Sequence, residues 1–242
     1  MRRRVKLPIL MYHKVDELRP GVRRVGNYVS PERFEQQMDA LVESGYRSIT
    51  VADWLAYRDG RAAHIPERPV IITFDDGYTC FARNAWPVLR ARGLGALMFI
   101  VSGQIGGTNV WDADEPQERL LDAEQLCALQ DEGVAFGAHS VTHPPLARIA
   151  PDRARDELRR SRERLEQVLG RAPDVFAYPY SNQSRTVRAL AREAGYRAAL
   201  RGGGRTSSRR TNPFGLYRIK VEPGWTAEEL LGKLRRERMR IF

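Results

Sequence analysis

The chain contains four histidines, and two of them, His139 and His143, share the hexapeptide His139-Ser140-Val141-Thr142-His143-Pro144. A single turn can bring imidazoles at this spacing onto one ion, and metal sites use it often. Two unconnected loop histidines would look the same, so the pair gains weight only from its company. That company is the adjacent carboxylates of Thr73-Phe74-Asp75-Asp76-Gly77, which follow an apolar run. Two acids side by side at a buried strand end each resist ionising near the other. A dication removes that cost, and the glycine lets the backbone turn beside it. The plain alternative is an aspartate pair that caps the next helix. Asp76, His139 and His143 together form a two-histidine, one-carboxylate set, which leaves positions open for water and substrate as a catalytic zinc site requires. A third segment, Phe176-Ala177-Tyr178-Pro179-Tyr180, reads either as a pocket wall whose backbone N–H after the proline faces the metal or as a packed aromatic turn. Trp111 follows Gly106-Gly107-Thr108-Asn109 in a long connection. It suits stacking on a sugar ring and suits equally well pinning its own loop.

The elements that must position these residues alternate. Strands are expected at 8–13, 46–49, 69–74, 95–101, 134–138, 175–178, 196–200 and 216–221, each a short apolar run. Between them lie helices with recognisable ends. Ser30 caps one, with Pro31 at its first position, and Gly45 closes it. Thr50 caps a short helix through Trp54 and Tyr57. Residues 82–92 form a helix closed by Gly93. Asp122 caps a helix ending at Gly133, a long charged helix runs from Pro151 to Leu169, another spans 184–194, and Thr226 opens the last. Strands alternating with helices imply parallel βαβ units, and seven or eight of them suit a closed or nearly closed barrel in one domain spanning 1–242. In such barrels chemistry sits at the C-terminal strand ends. His13, Asp75, Asp76, His139 and Tyr180 all fall at such ends.

Composition narrows the function classes. With 42% hydrophobic residues the chain can bury a core. The formal net charge is +10, and only Lys6, Lys14, Lys220 and Lys233 are lysines, so the excess is arginine. It suits a surface holding phosphate or an anionic polymer; a solvated surface in an arginine-preferring chain is the simpler account. No nucleic-acid partner is expected, because the basic stretch 201–210 carries no aromatic residue. Cys80 and Cys127 are too few for a disulfide framework and are read as reduced, with Cys80 near the site but not a nucleophile. Met1-Arg2-Arg3-Arg4 resembles the basic start of a leader, but the apolar run after it is shorter than the roughly 7–15 residues a leader needs. No stretch approaches the roughly 18 apolar residues of a membrane helix. The expected location is the cytoplasm, or the periplasm or exterior for a trimmed chain.

The three segments, in this order, resemble the motifs of the polysaccharide deacetylase family, carbohydrate esterase family four. The opening Leu10-Met11-Tyr12-His13-Lys14-Val15 is similar to the start of its exopolysaccharide branch, which acts on poly-N-acetylglucosamine. The resemblance covers nearly the whole chain. It implies a distorted (β/α) barrel and one divalent metal, Zn2+ with Co2+ or Ni2+ as substitutes. Asp76, His139 and His143 would be the ligands and Asp75 the general base. Tyr180 would give its backbone N–H to the oxyanion, with Tyr178, Pro179 and Trp111 against the substrate. Two departures stand out. The family often has an arginine that tunes the base where this chain has Ala177, and a late histidine as general acid where this chain reads Leu216-Tyr217-Arg218-Ile219. His64 lies in a polar loop ahead of a strand, on the wrong side of a barrel, whereas His13 ends a strand on the active side. His13 is therefore the expected acid.

The expected reaction is hydrolysis of N-acetyl groups from N-acetylhexosamine units of an oligosaccharide, a polysaccharide or a lipid-linked precursor, the last implying peripheral contact with lipid. Two alternatives stand beside it. One is a metal-dependent deformylase or amidohydrolase acting on a small or nucleotide-linked substrate. The other is a carbohydrate-binding protein that has lost turnover, toward which the absent arginine and late histidine point.

Overall fold

The computed structural model describes residues 5–239, so the basic Met1–Arg4 segment and the last three residues of the expected domain lie outside the described residues. In chain order the elements are β1 (Ile9–Tyr12), β2 (Lys14–Val15), β3 (Tyr28–Val29), α1 (Pro31–Glu43), β4 (Arg47–Ser48), α2 (Val51–Arg58), β5 (Pro69–Phe74), α3 (Trp86–Ala91), β6 (Leu97–Ile100), α4 (Ala123–Asp131), β7 (Ala135–Ala138), α5 (Pro151–Leu169), β8 (Val175–Ala177), α6 (Arg185–Glu193), β9 (Ala198–Arg201), β10 (Leu216–Tyr217), β11 (Ile219–Lys220) and α7 (Ala227–Met239). The main sheet runs β10-β9-β8-β7-β6-β5-β1-β11, with β4 also on β5, and its strand pairs are parallel. It is the expected α/β barrel, nearly closed.

Strand alternation builds two hydrophobic layers. One set of positions, including Leu10, Tyr12, Ile72, Phe74, Met98, Phe136 and Phe176, packs outward under the helices. The other set, including Ile9, Ile71, Phe99, Ala177, Leu200 and Leu216, fills the barrel, and Val51, Trp54 and Leu55 of α2 plug its lower end. A side chain on Gly137 would come within 2.5 Å of the Phe99 ring, so glycine there makes room for the filling. Carried one step past the strands, the inward register selects His13 after β1, Asp75 after β5 and His139 after β7. Period-two geometry therefore delivers all three to one end of the barrel.

Two expected elements differ. The helix at 82–92 is a π turn at Phe81–Ala85 followed by α3, because Pro87 has no N–H to continue an α-helical ladder. The strand at 216–221 is interrupted at Arg218. Its N–H donates to the Arg201 carbonyl and its carbonyl accepts from Gly204. Here the chain leaves one sheet edge, β10 on β9, and joins the other, β11 on β1. Arg218 is thus the seam at which the barrel nearly closes.

Candidate metal-dependent active site

β5 carries Asp75 and Asp76 to the mouth of the barrel, and the Asp75 N–H continues the ladder to the Tyr12 carbonyl at 3.0 Å. Asp76 then adopts φ 77°, followed by Gly77 at φ 89°, and this left-handed pair turns the Asp76 carboxylate back over the mouth. Among the described residues the other non-glycine positions with positive φ are Ser140, His143, Tyr180 and Ser181, all in the segments that frame the site. Backbone strain concentrated this way marks a place where geometry is held at a cost.

His139 and His143 occupy the turn after β7. His139 Nδ1 donates to the Ala177 carbonyl at 2.8 Å, which leaves Nε2 with a free lone pair facing the site. The Nε2 atoms of His139 and His143 lie 3.6 and 3.5 Å from Asp76 Oδ1, itself buried and without a hydrogen-bond partner. One donor atom from each of the three residues falls within 4.8 Å of the others. An orphaned buried carboxylate oxygen facing two imidazole nitrogens fits a dication, and the donor types suit zinc. Burial, with Asp75 and Asp112 nearby, pushes the Asp76 carboxyl above its usual range in the metal-free protein. A bound cation reverses that cost.

The histidine turn is held from behind by a residue that the sequence motifs did not suggest. Glu157 of α5, 7% exposed, accepts from the Val141 and Thr142 N–H groups at 2.7 and 2.9 Å and from Thr142 Oγ1 at 2.7 Å. Ser140 Oγ accepts from the His143 N–H at 3.0 Å. Gly103 packs so closely on this turn that a Cβ there would lie 2.4 Å from the Val141 carbonyl oxygen. Glu157→Gln keeps the shape but weakens the charge-assisted bonds. Its expected effect is a loss of zinc affinity of about tenfold, the low end of what outer supports of metal ligands contribute, measurable by competition with a chromophoric chelator.

The second unforeseen residue is Arg218. Its guanidinium forms a fork on Asp75, Nη1 to Oδ1 at 2.6 Å and Nη2 to Oδ2 at 2.7 Å, with both side chains almost fully buried. Nη1 also lies 3.3 Å from Thr73 Oγ1, and the group sits over the Phe99 ring. Burial alone would raise the Asp75 carboxyl, but the charge and hydrogen bonds of Arg218, with His139 and His13 adding to them, hold Asp75 below the usual carboxylate range. The arginine that the family often carries where this chain has Ala177 is absent there, and Asp75 instead receives one across the barrel from the seam. Ala177 contributes its carbonyl to His139 instead.

His13 faces Asp75 at 3.9 Å, Nε2 to Oδ2. Burial lowers its pKa to about 4, against which Asp75 acts only in part. His139 and His143 are also lowered, again chiefly by burial. Groups whose folded pKa lies below the unfolded value of 6.5 leave the unfolded chain holding more protons between the two values, so stability rises with pH across that window. The metal-free protein should therefore lose thermal stability as pH falls from 6.5 through about 4, and His13→Gln should flatten that fall, as read by melting curves at a series of pH values.

Trp111, Tyr178 and Tyr180 also line this pocket of about 410 Å³, whereas Pro179 does not. Tyr178 is buried, its hydroxyl donating to the Phe214 carbonyl, and Pro179 is buried in the turn that presents Tyr180. Tyr180 is 51% exposed and meets the His143 ring edge-on, with centroids 4.6 Å apart. Trp111 stacks on His143 at 4.7 Å, so one ring face is spent on a candidate ligand. Its loop is anchored by Glu118, which takes Lys14 at 2.5 Å and the Tyr28 hydroxyl, and by Arg24 on Asp112 at 3.0 Å. His64 is exposed in the loop before β5, away from the pocket. Cys80 packs with Tyr78 and Leu120, and burial pushes its thiol up to about 12, consistent with no nucleophilic part.

Known proteins resemble this chain in sequence and in fold. The family model described as polysaccharide deacetylase matches residues 63–199. The Bacillus subtilis protein YxkH is 27% identical over 223 residues, covering 90% of this chain and 72% of that one. The poly-β-1,6-N-acetyl-D-glucosamine N-deacetylase of Staphylococcus epidermidis is 24% identical over 185 residues, 71% of this chain and 63% of that enzyme. Among solved structures, the Streptococcus pyogenes deacetylase PplD in complex with acetate superposes with a TM-score of 0.83 at 25% identity, over 95% of this chain and 98% of that one. The matched span covers more than half of the sequence and contains Asp75, Asp76, His139, His143 and Ala177, and on that ground the chain belongs to the polysaccharide deacetylase family.

Proposed function

We propose that the protein is a metal-dependent N-deacetylase acting on N-acetylhexosamine units of a glycan. The observation that carries this reading is a carboxylate, Asp75, that is kept ionised by Arg218 and stands beside three donors suited to one ion. A carbohydrate-binding protein that had lost turnover would have no use for that pair. The nature of the relatives supports the substrate class, since one of them is named for poly-β-1,6-N-acetyl-D-glucosamine.

A dication held by Asp76, His139 and His143 would supply Lewis acidity toward the acyl oxygen and an attacking water. Asp75 takes a proton from that water as its oxygen bonds to the acyl carbon. The Tyr180 backbone N–H donates to the acyl oxygen as negative charge develops there. His13, 3.9 Å from Asp75, passes a proton to the departing nitrogen as the C–N bond breaks. Asp75 and His13 both hold a proton weakly, Asp75 because of Arg218 and His13 because of burial. A proton gathered on this pair is therefore readily given to the more basic amine, which leaves acetate and a free amino sugar.

The test is acetate release from N-acetylglucosamine oligomers by zinc-loaded protein, before and after chelation and after zinc is restored. Release that stops with chelation and returns with zinc supports the reading. No release by protein shown to hold one zinc per chain overturns it in favour of a small or nucleotide-linked amide substrate.

A further inference from the structure

The pocket holds three cations, Arg24, Arg218 and Lys220, and three carboxylates, Asp75, Asp76 and Asp112. Arg218 is committed to Asp75 and Arg24 to Asp112, while Asp76 is the carboxylate on which the two imidazoles converge. That leaves Lys220, which makes no ion pair among the described residues. Its position is built rather than incidental. Lys220 pairs with Met11 in the β11–β1 register, and lying two residues from Arg218 it projects to the same side, into the barrel mouth. Its partner strand leads to His13, whose basicity Lys220 lowers. Lys220 is half-buried, and its ammonium lies against the segment between β2 and β3, so close that a Cβ on Gly26 would lie 3.0 Å from Nζ. An ammonium that faces the cavity without a carboxylate partner is free to meet an anionic group on a ligand there.

We infer that Lys220 is a specificity residue that binds an anionic oxygen group, a carboxylate or phosphate carried by the amino sugar or by the sugar next to it, on the His13 side of the pocket. This rests on the deacetylase reading for the identity of the sugar but not for the anion site itself. A lone ammonium is a point charge with rotatable donors, so it suits either oxyanion without demanding a planar fork. It also gives part of the chain's excess of positive charge a use at the site.

Binding separates the two ideas. Calorimetry would compare two disaccharides of N-acetylglucosamine, one linked to glucuronate and one to glucose, and two monosaccharides, N-acetylglucosamine 6-phosphate and free N-acetylglucosamine. Wild type, Lys220→Met and Lys220→Arg would each be tested with zinc bound. Wild type is expected to bind at least one charged member about tenfold more tightly than its neutral counterpart, the scale of one charge-assisted contact. Lys220→Met should lose that preference and Lys220→Arg should retain most of it. A preference for glucuronate alone, or for phosphate alone, identifies the source of the anion. Equal affinity within both pairs, no binding of either charged member at millimolar concentration, or a preference that survives Lys220→Met overturns the inference. Acetate release from the neutral disaccharide reports the deacetylase reading separately.

Discussion

Asp75→Asn is expected to lower kcat for acetate release by about 10²–10⁴-fold while the zinc content stays at the wild-type level. Asparagine has nearly the shape of aspartate, but its amide cannot take a proton from water at neutral pH. Asp75 is not one of the three donors Asp76, His139 and His143, and although it lies 4.0 Å from His139 Nε2 the isosteric change leaves their arrangement in place, so loss of turnover with retained metal isolates the role of the base. The substitution also leaves the Arg218 guanidinium buried without its counter-ion, so a drop in stability should accompany the loss of rate. Adding Arg218→Met to Asp75→Asn should recover stability without recovering activity. A variant that keeps a tenth or more of wild-type kcat would remove Asp75 from the reaction.

Arg218→Met alone is expected to destabilise the fold by about 3–5 kcal/mol at neutral pH, because it strands an ionised carboxylate in the barrel. The pH dependence supplies a sharper readout. In wild type Asp75 lies below its ordinary value of 3.8, so its contribution to stability is present above that value and is lost as pH falls through the folded pKa. Without the guanidinium, only His139 and His13 oppose burial, and the Asp75 carboxyl rises. The folded variant then binds a proton more readily than the unfolded chain, and acid relieves the defect. The stability gap between wild type and variant should therefore narrow as pH falls, and the acid limb of kcat should move to higher pH. Parallel stability curves with an unmoved limb would show that Arg218 serves packing alone. Lys220 differs in this respect: it has no carboxylate to strand, so its removal should be read in ligand affinity rather than in melting temperature.

Much of this architecture is legible in local patterns. Ser30, Thr50, Asp122, Ser184 and Thr226 each bond to the start of the helix they precede, because a cap is a contact within four residues. The apolar run at 69–74 is β5 itself, and the inward alternation along β1, β5 and β7 carries His13, Asp75 and His139 to one end. The grouping of Asp76, His139 and His143 is readable because these candidate ligands come from two short motifs in a chain with few histidines.

What the motifs did not reveal comes from contacts across the barrel. Arg218 lies in the segment where the family often has a histidine, and a guanidinium in an apolar stretch shows a need for a carboxylate without saying which one. A signal was present nonetheless: Leu216, Ile219 and Val221 surround it, and a buried arginine among them requires a partner. Glu157 gave a similar hint, since it lies among Ala154, Leu158, Ser161 and Leu165 on the buried side of α5. By itself the sequence determined the order of strands and helices, the end of the barrel at which chemistry gathers, and the residue types able to hold a metal. Only the tertiary structure decided which arginine ionises Asp75, which glutamate holds the histidine turn and which lysine is left without a counter-ion. Those pairings join residues as far apart as 75 and 218, and no local preference encodes a contact that exists only once the seam has been brought back to β1.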